Sequence, residues 1–180
     1  MTLLHLFRRD PSAQDERSPI SYDRDLIELL RQDHRRLIRQ LQDLQKLGAR
    51  HQFKDTLNRL NEFRSLLQTH LMTENVRLYG YLAYALEAYG DDARHAAEFR
   101  REMYGLGHNI MVFIKKYLET GVTKDNISQF RKELAEVGAT LVRRIRREEN
   151  DLFPLYEPSS GTRTAHSGAR SPALNEVFAR

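Results

Sequence analysis

Apolar positions recur along this chain at alternating steps of three and four, in four long stretches. That is the periodicity of a helix with one buried face. From about Tyr22 to Leu47, the stripe is Leu30, His34, Leu37, Leu41 and Leu44, and Gly48 then offers a stop. From about Gln52 to Tyr79 it is Leu60, Phe63, Leu67, His70, Glu74 and Leu78. Gly80 weakens the helix there, and "YLAYALEAYGDD" reads as a looser turn or short helix. From about Asp92 to Leu118, Tyr104, His108, Met111 and Leu118 share a face, ahead of Gly121. From about Lys124 to Phe153 the stripe is Ile127, Phe130, Leu134, Val137, Leu141, Arg144, Glu148 and Leu152, and Pro154 forbids continuation.

Helices of about 26 residues are roughly 39 Å long at 1.5 Å per residue. Four of similar length with short connections predict an all-α, up-down-up-down four-helix bundle over residues 21–157. Residues 1–20 read as an N-terminal arm closed by Pro19, and the Ser-, Gly-, Ala- and Pro-rich residues 158–180 as a flexible tail. No strand-like alternation of comparable length competes.

Composition narrows the chemistry. The chain has no cysteine, which excludes disulfides, thiolate metal sites and a cysteine nucleophile. No apolar run approaches membrane-spanning length. The N-terminus lacks the charge-then-apolar order of a secretory signal, so a cytoplasmic protein is expected. The net charge of +4 is mild and the arginines of "RRIRREEN" alternate with acids, which argues against nucleic acid as a partner. No nucleophile–base pair is visible, so catalysis is a weaker expectation than binding or sensing.

The informative positions are the polar residues on the apolar stripes: His34; His70 and Glu74; His108; Arg144 and Glu148. Taken singly, each has an ordinary reading. His34 could be a hydrogen-bonded core histidine, His70 and Glu74 an intrahelical pair, and Glu148 the partner of neighbouring arginines. Buried ionisable groups are costly unless paired or bound to metal, and six spread over four stripes point to a shared interior site. His70 and Glu74 lie one turn apart on one face, their Cβ atoms about 6 Å from each other. Imidazole and carboxylate on facing helices suit iron, manganese or zinc. His5, His51, His95 and His166 read as surface residues. Met111 and Tyr104 read as core, Tyr104 with its phenol one turn before His108. Arg143, Arg146, Arg147 and Glu149 read as a solvated outer face.

"QDHRRL", "HLMTENVRLYGYL", "GHNIMVFI" and "LVRRIRREENDLFPLYE" resemble the four helical motifs of hemerythrin-like (HHE cation-binding) domains, in order, across about residues 25–157. The resemblance implies a four-helix bundle around a non-heme di-iron centre, and roles in binding or sensing oxygen or nitric oxide, in iron handling or in repair of iron centres. It places His34, His70, Glu74, His108 and Glu148 on ligand positions, with the two glutamates as bridging carboxylates. Iron is the implied cofactor, with manganese or zinc as substitutes, and a diatomic gas the implied ligand. Two positions depart from the pattern: Gly80 replaces a proline, and Arg144 stands where the resemblance expects a histidine. Guanidinium has no lone pair to donate and stays protonated. Three fates are open to it. It can snorkel outward. It can pair with Glu148 and leave one metal on His70, Glu74 and His108. Or it can bridge Glu74 and Glu148 in place of metal. The last fate leads to the alternative function, a metal-free regulatory bundle that binds a protein partner.

Overall fold

The computed structural model describes residues 20–87 and 90–156. Four long helices form the bundle: α1 (Leu26–Ala49), α2 (Phe53–Thr73), α4 (Gly90–Thr120) and α5 (Ile127–Arg147). A short helix, α3 (Tyr79–Ala85), extends α2 through a π-helical turn at Glu74–Leu78. A second π-turn, Glu148–Leu152, extends α5 into a 3-10 turn at Phe153–Leu155. Helix α1 packs on α2 and α5, and α4 closes the bundle against the same two. Among the described residues there is no strand, and no helix is long and apolar enough to cross a membrane. Except for Ile20, the expected arm and tail lie outside the described residues.

The helix ends differ from expectation in instructive ways. Gly48 does not stop α1; it lies buried inside the helix, with Phe130 and Arg131 about a van der Waals contact from where a Cβ would be. The chain turns two residues past the helix end instead, where His51 takes a left-handed φ of 54°. That conformation is uncommon for a residue with a Cβ, and histidine is among the few enriched in it. Gly80 does not break its helix either. A Cβ there would collide with the side chain of Ile20, so glycine leaves room for the N-terminal segment to cross.

The buried face of α4 lies one position from the predicted stripe. Tyr104 is 84% exposed and His108 is exposed, whereas α4 buries Phe99, Met103, Gly107, Ile110, Ile114 and Tyr117. The observed face buries the larger apolar side chains, so the hydrophobic effect selects it. Gly107 disguised that face, because glycine carries no hydropathy signal. It sits there to admit Leu71, whose Cδ1 would lie 3.1 Å from an added Cβ.

The core is in two parts. A larger cluster fills the bundle around Leu37, Leu41, Phe63, Leu67, Ile114, Phe130 and Leu141. A smaller one, around Leu30, Leu78, Leu82, Phe99, Leu152 and Tyr156, fills the end carrying α3 and the 3-10 turn. The polar residues of the stripes fall in sequence between these two sets on α1, α2 and α5.

Candidate metal centre

His34, His70, Glu74, Arg144 and Glu148 are all buried, none more than 4% exposed. The two π-turns begin at the two glutamates. The peptide N–H of Tyr79 donates to the carbonyl of Glu74, and that of Phe153 to the carbonyl of Glu148. The reason is geometric. Successive steps of four (His70, Glu74, Leu78; Arg144, Glu148, Leu152) drift about 40° each around a helix of 3.6 residues per turn. A wider turn takes that drift back, so both glutamates and the leucines after them stay on the inward face. Such π-turns often mark functional sites.

One ligand atom from each of His34, His70 and Glu148 lies within 4.8 Å of the others. The imidazoles of His34 and His70 meet edge to face at 4.8 Å, and Phe153 stacks on His34 at 5.6 Å. His34 Nδ1 lies 2.8 Å from Glu149 Oε1. Its Nε2 sits 3.2 Å from Glu148 Oε2, an ion-pair contact outside hydrogen-bond alignment. Glu149 thus joins the site instead of a solvated outer face. No helical period placed it there, because the π-turn shifts the register after Glu148. Asp33 was also not anticipated: it is buried, with Oδ2 3.9 Å from His70 Nδ1.

Arg144 points inward. Its Nε donates to Glu148 Oε1 at 2.5 Å, and Nη2 donates to the Tyr79 hydroxyl at 2.9 Å and the Phe99 carbonyl at 3.0 Å. Nη1 reaches Glu102 at 3.2 Å, and the guanidinium lies over the Phe99 ring at 4.5 Å. Outward snorkelling is thereby excluded. The pairing with Glu148 is the second of the three fates, and no hydrogen bond from Arg144 to Glu74 accompanies it.

The electrostatics separate the two histidines. Burial disfavours charge on His34, but Glu148 and Glu149 outweigh it and raise its pKa to about 9. Burial, reinforced by the His34 charge, lowers that of His70 to about 4, so His70 keeps a free lone pair at neutral pH. Burial and the Glu148 charge push Glu74 well above the usual carboxylate range. Glu148 shares that burial, but contact with His34 and Arg144 holds it below the range.

The donor set has unmet demand. His34 Nε2, His70 Nδ1 and both carboxylate oxygens of Glu74 are buried without a hydrogen-bond partner. Each such atom costs about 1–3 kcal/mol. His34 Nε2 still faces Glu148 Oε2 at 3.2 Å and His70 Nδ1 faces Asp33 Oδ2 at 3.9 Å, so the two Glu74 oxygens are the ones without an ion-pair contact.

A family model described as the hemerythrin HHE cation binding domain matches residues 25–156, nearly three-quarters of the 180-residue chain. The chain belongs to this family. No significant similarity to a curated protein or to a solved structure was found. The hemerythrin-like bundle is as the sequence led one to expect, and two imidazoles and a carboxylate fit the cation-binding character of the family. His34 already shows the arrangement that orients a metal-binding imidazole: one ring nitrogen on a carboxylate, the other facing the cluster. To ligate, it must release its proton.

His108 stands apart. It lines a cavity of about 380 Å³ between α2 and α4, with Glu74 and Tyr79, apolar walls from Leu71, Met103 and Met111, and Asn75, Arg100 and Tyr104 around them. Substituting His108→Ala is expected to leave metal content per chain unchanged, whereas His70→Ala should lower it at least tenfold. Elemental analysis of the two purified variants checks both.

Proposed function

We propose that this is a hemerythrin-like non-heme iron protein that senses or handles oxygen, nitric oxide or iron through its buried histidine–carboxylate site. The observation that carries the reading is the buried cluster of His34, His70 and Glu148, whose ligand atoms lie within 4.8 Å of one another. His34, His70 and Glu148 would hold the ion, and Glu74 would present its carboxylate from the cavity side. Imidazole and carboxylate donors accept ferrous iron, and manganese or zinc by the same chemistry. Bound iron would supply reversible binding of a diatomic gas.

The protein's own groups do the rest. Glu149 orients His34, Phe153 covers its ring, and Arg144 fixes Glu148. The cavity between α2 and α4 gives a gas a route from solvent to Glu74. Protein purified from iron-supplied cells should contain iron, and its reduced form should change absorption on adding oxygen or nitric oxide. Substoichiometric iron, manganese and zinc throughout would sink the proposal. That result would favour the alternative of a metal-free regulatory bundle binding a protein partner, for which the one supporting observation is the well-paired guanidinium of Arg144.

A further inference from the structure

We infer that the core is built for one metal ion per chain, a two-histidine, one-carboxylate site on His34, His70 and Glu148, with the Arg144 guanidinium as a fixed internal cation that keeps out a second ion. The inference rests on the iron-binding reading and adds the number of ions and the residue that sets it.

Three observations carry it. First, Glu148 is divided. Oε1 accepts from Arg144 Nε, and Oε2 lies against His34 Nε2, so one oxygen remains for metal on the imidazole side. Second, Arg144 is held from several directions: Glu148 from its own helix, Tyr79 from α3, and the Phe99 carbonyl and Glu102 from α4. A side chain donating to four groups and lying over an aromatic ring does not swing away to admit an ion. Third, a second ion on that side would find the Glu74 carboxylate but no buried imidazole beside it. Position 144 offers no lone pair, and His108 is exposed in the wall of the cavity.

The size of the triangle fits a single ion. Three nitrogen and oxygen donors about 2.1 Å from a common cation, with positions left open, lie about 3.0–3.4 Å apart. The His34, His70 and Glu148 atoms are within 4.8 Å of one another, so side-chain shifts on the order of 1–2 Å close the site. Two imidazoles and one carboxylate with positions left open is the donor set of mononuclear ferrous centres. Charge agrees with this count. Arg144 already offsets Glu148 on its Oε1 side as a metal ion would, so a second divalent ion there would find the carboxylate oxygen and its charge taken.

The test is anaerobic loading with ferrous iron, followed by iron counting per chain and electron paramagnetic resonance after adding nitric oxide. One iron per chain is expected, with the high-spin half-integer signal of an isolated ferrous nitrosyl. Arg144→Lys should keep the count at one. Arg144→His, which removes the fixed charge and adds a donor, should raise it above one. Two irons in the natural protein, or a spin-coupled signal, would overturn the inference while leaving the iron-binding reading intact. A count of one in a folded Arg144→His protein would show that the guanidinium does not set the number. No iron in the natural protein would overturn both readings.

Discussion

Replacing Glu148 by alanine should abolish metal binding and cost about 3 kcal/mol of folding stability, where an exposed glutamate would cost almost nothing. The carboxylate is 1% exposed and meets Arg144 on one oxygen and His34 on the other. Removing it strands the guanidinium, which is 4% exposed. Breaking a buried ion pair by deleting one partner typically costs 3–5 kcal/mol. The lower end applies here, because Tyr79, the Phe99 carbonyl and Glu102 remain for Arg144. Urea denaturation of the metal-free proteins measures the difference. A loss below about 1 kcal/mol would mean that Arg144 can reach water, contrary to its burial. Glu148→Gln separates the two effects: it can still accept the Arg144 hydrogen bond, so it should recover part of the stability but little metal affinity.

The contrast between Glu148 and Glu149 shows where sequence reading stops. Glu148 was legible because it continues a stripe of apolar residues in α5. Its neighbour reads as solvent-facing at 100° per residue, yet it is three-quarters buried and contacts His34. The two consecutive steps of four, at His70–Glu74–Leu78 and Arg144–Glu148–Leu152, were the one available signal of the π-turns. The missed face of α4 has a different cause. A stripe that runs through Gly107 cannot be found by counting apolar residues, since glycine carries no apolar side chain to count and a Cβ there would press on Leu71 at 3.1 Å. The four-helix architecture was legible because it depends on long amphipathic periods that tolerate such local exceptions. The partners of Arg144 were not, because they come from three segments whose register against one another is a tertiary matter.

Replacing Phe130 by alanine should be strongly destabilising, at about 4 kcal/mol, and it should leave the metal count per folded chain unaltered. Phe130 is 0% exposed, stacks on Phe113 at 5.8 Å and meets Tyr117 edge to face at 4.9 Å. Burying an aromatic ring and then deleting it typically costs 3–5 kcal/mol, the lost transfer energy plus the cavity left behind. Relaxation has little to offer, because Gly48 brings the backbone of α1 close to the ring and Tyr117 is itself 1% exposed. The ring lies near the start of α5, about four helical turns from Arg144 and about five from Glu148. Stability and site chemistry are therefore expected to separate in opposite ways for the two substitutions. Phe130→Ala should shift the urea midpoint strongly and bind iron normally while folded, whereas Glu148→Gln should shift it modestly and bind little. Loss of iron from folded Phe130→Ala protein would show instead that the two halves of the core are mechanically coupled and that the metal site depends on packing at the far end of the bundle.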